Sequence, residues 1–239
     1  MLAQALDSGI SGANGRLAVM PLVKNKYPNF DEMTTYTLSS FAENSVFGKD
    51  NYKFVTSGSA GAFSIFDANG TLVDNISIPN ARWVSVRDDK LAVLSGGDNH
   101  TLYYYTFSGG TLTSQDNYTL SVVLEDQAKS VVDISKYYAF VAGNKQGVNI
   151  YKLSDGSLSQ TIAIPVLGYP TVQVSTNSVT IYKDLLFIAN GEAGAYVAQN
   201  DEQLTNITGV SDDDDMDLTV VGKLVLGDGV SANHIQYRK

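Results

Sequence analysis

Residues 127–158 read Q-A-K-S-V-V-D-I-S-K-Y-Y-A-F-V-A-G-N-K-Q-G-V-N-I-Y-K-L-S-D-G-S-L, and this stretch decides the fold. Three apolar runs stand out: Val131–Ile134, Tyr138–Ala142 and Val148–Leu153. β-branched and aromatic residues dominate, and each run is only about 5 residues long, so strands are expected rather than helices. Asp155-Gly156 then supplies a two-residue turn of the type I′ kind, where φ > 0 suits Gly. A fourth run, Leu158–Ile164, pairs back. The stretch predicts a four-stranded antiparallel meander.

The meander recurs. Its first strand opens on a small residue, then a polar one, then an apolar one. The copies are Ala42-Glu43-Asn44-Ser45-Val46, Ala81-Arg82-Trp83-Val84, Ala128-Lys129-Ser130-Val131, Thr176-Asn177-Ser178-Val179 and Ala232-Asn233-His234-Ile235. The second strand ends at Gly58, Gly96, Gly143 or Gly191, and the third opens at Gly61, Thr101, Gly147 or Gly194. Asn69-Gly70, Gly109-Gly110 and Asp155-Gly156 turn the third strand into the fourth, and the last copy has a longer acidic insert there.

The chain ends complete the pattern. Residues 231–239 read as a first strand with no second strand after it. Met1–Leu6 reads as a second strand, Gly15–Leu22 as a third and Met33–Leu38 as a fourth. The two ends therefore sum to one unit of four strands. The expectation is an all-β, five-bladed β-propeller with four-stranded antiparallel blades, closed by pairing of the C-terminal strand with the N-terminal strands. The composite blade is 1–40 plus 229–239, and the others are 41–80, 81–121, 122–168 and 169–228. Each unit spans about 40–55 residues, the blade size of such folds. Closure removes the unpaired edges that an open array would expose.

Composition sets limits. The 239 residues suit one closed domain, and 21 Gly with 14 Tyr and 9 Phe suit many short strands joined by tight turns. There is no Cys, so no disulfide or thiol chemistry is available. A net charge of −9 opposes nucleic acid and anionic membranes as partners. No apolar run reaches the roughly 18 residues of a membrane span. Only 17% of residues are charged, so a surface rich in Ser, Thr, Asn and Tyr is expected, which suits an extracytoplasmic protein. No signal peptide is visible, and because the chain opens inside a unit, a leader removed upstream is compatible with it. A monomer is expected. Glycosylation sequons at Asn69, Asn75, Asn99, Asn117 and Asn206 are about as many as chance gives, so they decide nothing.

The units resemble those of the LVIVD-type repeat proteins, bacterial secreted or cell-surface β-propellers. The resemblance rests on Tyr138-Ala139-Phe140-Val141-Ala142-Gly143 followed by Gly147-Val148-Asn149-Ile150-Tyr151. It rests equally on Leu186-Phe187-Ile188-Ala189-Asn190-Gly191 followed by Gly194-Ala195-Tyr196-Val197. The Asp that usually follows the third strand in that family is replaced by Lys152 in one unit and Thr106 in another. The resemblance implies a propeller and no defined chemistry.

Propeller ligands sit at a mouth formed by the loops entering strand one and those joining strands two and three. The register places Asn44, Arg82, Lys129, Asn177 and Asn233 there, with Trp83, His234 and Glu192 beside them. The structural reading is that each caps the channel through hydrogen bonds. The functional reading is a polar ring in which Arg82 and Lys129 donate and Trp83 offers a flat face to a glycan, peptide or protein partner. Trp83 also reads as a core residue wedged between blades.

The leading expectation is a non-catalytic extracytoplasmic binding or scaffold propeller. The alternatives are a carbohydrate-active enzyme of propeller fold and a structural module of a larger surface protein. A glycosidase needs two carboxylates facing the sugar, and only Glu43, Asp126 and Glu192 offer themselves. No G-x-S-x-G occurs, so no catalytic residue is assigned. Two histidines, His100 and His234, fall short of the usual three protein ligands of a catalytic metal, so none is assigned. The acidic run Ser211–Asp217 lacks the Gly and Glu of an EF-hand in register. It reads as a solvated loop, with a Ca²⁺ site at Asp213, Asp215 and Asp217 as the alternative.

Overall fold

The computed structural model describes residues 2–6, 15–24, 27–38, 44–96, 100–122, 124, 130–163, 174–200, 207, 215–227 and 230–236. The chain forms two compact units, residues 1–97 with 105–115 and residues 98–104 with 116–239. Strand dominates both, as the Val, Ile, Tyr and Phe runs predict.

The first unit opens with β1 (Leu2–Leu6), β2 (Arg16–Met20), β3 (Leu22–Val23), β4 (Tyr27–Pro28) and β5 (Thr34–Thr37). β1, β2 and β5 form a three-stranded sheet, and β3 pairs only with β4. A four-stranded meander comes next: β6 (Asn44–Phe47), β7 (Lys53–Thr56), β8 (Ala62–Phe66) and β9 (Leu72–Ser77). Another comprises β10 (Ala81–Arg87), β11 (Lys90–Ser95), β12 (Thr101–Ser108) and β13 (Thr111–Thr119), and the division into units runs through its last two strands. The second unit adds β14 (Val132–Ile134), β15 (Tyr138–Ala142), β16 (Val148–Lys152) and β17 (Leu158–Ile162). It ends with β18 (Ser178–Tyr182), β19 (Leu185–Ala189), β20 (Ala195–Asn200) and β21 (Leu218–Leu224).

The all-β class and the repeated four-stranded antiparallel sheets match the sequence reading. The count differs: the described residues form six sheets, not five blades, and no closed ring is described. Two causes are visible. The β3–β4 hairpin is an insert that the repeat does not predict. The first sheet has three strands, drawn wholly from residues 2–37. Within it, Leu38 N–H donates to Gly15 O as Ile78 N–H donates to Gly61 O, so β2 stands where third strands stand and β1, its neighbour, where second strands stand, in line with the sequence reading. The one described bridge of the C-terminal segment is Ala232 to Gly191 of the last sheet. Met1 and residues 237–239 lie outside the described residues.

The turn at Asp155-Gly156 is also longer than expected. Only Gly156 has positive φ, +73°, and Lys152 N–H donates to Ser157 O across four intervening residues. The reason is Leu153. It is buried, and its N–H donates to Tyr137 O, so the chain leaves the ladder early.

Three turns between second and third strands share one geometry. Ser57, Gly143 and Asn190 donate their N–H to the carbonyls of Ala62, Gly147 and Gly194. The next residue is left-handed, with φ of +52° at Gly58, +54° at Asn144 and +58° at Gly191. That residue bridges to a later segment of the chain: Gly58 to Ala81 and Asn144 to Thr176, which open the following sheets, and Gly191 to Ala232 in the C-terminal segment. In these three repeats the small residue that begins the copy is therefore the partner in a backbone joint; Ala42 and Ala128 lie outside the described residues.

Three fourth strands carry one extra residue each, whereas β5 pairs with β2 without a shift. Val73 in β9, Ser159 in β17 and Val221 in β21 have no partner opposite them. Such bulges twist an edge away from further pairing. The cores lie beneath the inner strands. In the first unit Leu17, Val19, Leu38, Val55 and Phe66 cluster with Tyr36. In the second, Tyr138, Phe140, Val141, Ile150, Leu186 and Ile188 are fully buried. Each such side chain contributes roughly 1.5–3 kcal/mol by leaving water.

Candidate functional site

The first-strand polar residues do a common job. Asn44 opens β6, and its Oδ1 accepts the Val84 N–H of β10 at 3.1 Å. Thr56 Oγ1 reinforces that contact by donating to Arg82 O at 3.1 Å. Asp133 in β14 repeats the arrangement: Oδ2 accepts the Ile181 N–H of β18 at 2.8 Å, while Oδ1 accepts from Ile134 N–H at 2.8 Å. Ser178 in β18 donates to Ile235 O at 3.3 Å and lies 3.2 Å from His234 Nδ1. In every case a first-strand side chain grips the backbone of a later segment: β10, β18 or Ile235. Sequence reasoning missed Asp133, whose signal was a carboxylate set inside an otherwise apolar run.

Arg82 and Trp83 sit on β10. Ala81 pairs with Ser95 and Trp83 with Leu94, so Arg82 is the extra residue of a bulge. A bulge re-aims its side chain, and Arg82 turns inward to 5% exposure. Its guanidinium lies where a Cβ on Gly96 would stand, which is why that position is Gly. Arg82 was expected to offer donors to a ligand; the structure buries its side chain against Gly96. Trp83 is partly buried.

The second unit gathers the rest. Asn177 Nδ2 donates to Asn233 Oδ1 at 3.1 Å. Ser175 Oγ donates to Asn177 Oδ1 at 2.8 Å, and Ser231 Oγ to Asn233 Oδ1 at 3.3 Å. His234 and Asn233 are exposed, and Glu192 stands exposed on the turn after β19. This is a solvent-facing cluster of amides, hydroxyls and an imidazole. Lys129 lies outside the described residues, as do Glu43 and Asp126, so no carboxylate separation follows for a glycosidase pair. His100 holds a loop: its Nε2 accepts the Leu124 N–H at 3.3 Å, which puts the proton of the neutral ring on Nδ1.

No protein-family model matches this chain, and no curated protein does. The likeness to LVIVD-type repeats therefore rests on the repeat residues alone.

For metals, no group of three or more His, Cys, Asp or Glu is gathered among the described residues. Asp215 faces Lys152, whose Nζ lies 3.3 Å from its Oδ1; Asp217 is exposed, and Asp213 lies outside the described residues. No helix of the described residues is long and apolar enough to cross a membrane.

One feature of the first unit had no sequence signal. A cavity of about 470 Å³ is lined by Asp50, Asp88, Asp89, Phe107, Ser108 and Gly109. These residues come from turns joining strands one to two and three to four, at the end of the sheets opposite the inter-sheet joints. Its carboxylates are exposed, with Asp50 and Asp88 in left-handed turn positions at φ +57° and +54°.

Proposed function

We propose that the chain is a propeller-type repeat scaffold that binds a neutral, hydroxyl-rich glycan without turning it over. The cluster of exposed Asn233, His234 and Ser231 with half-buried Asn177 and Ser175, backed by buried Ser178, carries this reading. Its side chains are linked to one another, so little rotamer entropy is lost when a ligand arrives. Amides and hydroxyls both donate and accept, which matches sugar hydroxyls. Glu192, on the same end of the neighbouring turn, extends the surface. Closure into a five-bladed ring, with 231–239 beside 2–6, belongs to the same proposal. The extracytoplasmic setting of the LVIVD-type repeats agrees with it.

Glycan-array binding by the full chain tests the reading. Signal on neutral glycans that falls at least tenfold in Asn177→Ala/Asn233→Ala is the expected result. An unchanged signal in that variant overturns the site, and no glycan signal at all overturns the ligand class. A crystal structure with residues 231–236 unpaired to residues 2–6 overturns the ring.

A structural-module reading has its own observation: Asn44, Asp133 and Ser178 are engaged in holding sheets together. It predicts that the same variants lower thermal stability and leave every binding profile blank.

A further inference from the structure

Two of the three inter-sheet joints pair Gly with Ala: Gly58 with Ala81, and Gly191 with Ala232. The third pairs Asn144 with Thr176, and these are only 1% and 0% exposed. Positive φ favours Gly, and Asn is among the few side chains that tolerate it. An amide placed there, in a site closed to solvent, calls for a physical reason.

Asn144 and Thr176 exchange both backbone hydrogen bonds, at 3.1 and 2.8 Å, which holds their Cα atoms about 5.5 Å apart. Thr176 Oγ1 also donates to Asn190 Oδ1 at 2.8 Å, and Asn190 is 0% exposed. Three polar side chains are thus buried together. Among the described residues, Oδ1 and Nδ2 of Asn144 and Nδ2 of Asn190 have no hydrogen-bond partner. Nδ2 of Asn149, which lies over Gly143, has none either. A buried donor or acceptor without a partner forfeits the hydrogen bond that it made with water. Several such losses at one joint would consume much of the small net stability of a domain.

We propose that the Asn144–Thr176–Asn190 joint holds an internal water molecule that links the β14–β17 sheet to the β18–β21 sheet. Water accepts from Nδ2 of Asn144 and of Asn190 and donates to Asn144 Oδ1, which meets the two to four partners a buried water needs. An ion is the poorer occupant, because the three side chains are uncharged and burying an unpaired charge is far more costly than burying water. The water makes this the joint at which a bridged residue's own side chain, that of Asn144, adds to its backbone bridge.

Water-to-protein cross-relaxation, measured by NMR on the labelled full chain, tests this. The side-chain amide protons of Asn144 and Asn190 should show cross-peaks to water with the sign of a long-lived bound molecule. Their absence overturns the proposal. Asn144→Gly keeps a residue suited to the left-handed backbone and should abolish the water cross-peak at Asn190. A cross-peak retained at Asn190 overturns the shared site. Should that variant fail to fold, the crystal structure of the unaltered chain decides: a single water peak within hydrogen-bond reach of both amides supports the site, and any other occupant overturns it.

Discussion

The side-chain amide of Gln160 pairs with the backbone of Leu218 through both of its polar atoms. Nε2 donates to Leu218 O at 3.0 Å, and Oε1 accepts the Leu218 N–H at 2.9 Å. The amide stands in for the peptide of a neighbouring strand. Ser159, the bulged residue beside it, accepts the Met216 N–H at 3.1 Å. Leu218 is buried, so both of its backbone groups depend on this contact. Gln160→Leu should cost about 1–3 kcal/mol, the penalty for stranding buried polar groups. Gln160→Glu keeps the acceptor and should lose less. Urea unfolding of the three proteins checks the order, and equal midpoints would count against it.

Two glycines with similar backbone angles should respond differently to alanine. Gly109 has φ +56° and open space around a would-be Cβ. Gly109→Ala should cost about 1 kcal/mol, the left-handed penalty alone. Gly147 has φ +83°, and a Cβ there would fall on the Ile162 carbonyl. Gly147→Ala should lose roughly 3 kcal/mol or more, because backbone must shift as well. Thermal melting of the two variants separates these outcomes.

The inter-sheet ties make a prediction at single amides. Val84 and the Asn44 carboxamide are paired at 3.1 Å, and Val84 is buried. Asn44→Ala should speed hydrogen exchange at Val84 by about tenfold or more, since about 1–3 kcal/mol of protection is at stake. Asp133→Ala should do the same at Ile181 and Ile134. Unchanged exchange at these amides would show that the side chains merely decorate the joints.

Tyr118 predicts a loss of stability in alkali. Its hydroxyl donates to Leu153 O at 2.9 Å, and its ring covers Gly156. Burial first, then the nearby negative charges of Asp116 and Asp155, push its pKa from 10.0 up to about 12. The folded state therefore holds this proton more tightly than the unfolded state does. Its contribution is complete below about pH 10 and is lost as pH climbs toward about 12. Tyr151 is shifted upward too, chiefly by burial, and adds to the same decline. Tyr118→Phe should flatten the fall in melting temperature across that window. A slope identical to that of the unaltered protein would refute the assignment.

Much of this architecture is legible in the sequence. The limits of β15 fall at Tyr138 and Ala142, where the apolar run itself begins and ends. Gly61, Gly147 and Gly194 mark third strands because all three need positive φ, which L side chains resist. Other features leave weaker traces. A bulge such as Val221 changes register by one residue within an ordinary apolar string. The inward turn of Arg82 follows from such a bulge, which polarity alone does not reveal. Asn177 and Asn233 each follow the small residue of a repeat, and their side chains are hydrogen-bonded to each other. The Asp50–Asp88–Asp89 cavity draws on turns far apart in the chain, whose convergence no local pattern records.

The joints at Gly58, Asn144 and Gly191 also bear on how such a chain comes to exist. Each couples one sheet to its successor through a backbone bridge, which asks little of the successor's side chains. A stretch of coding sequence copied in tandem would carry its own connector with it. Lineages of this kind can lengthen or shorten by whole cassettes while individual couplings differ, as asparagine at position 144, where the other two joints carry glycine, illustrates.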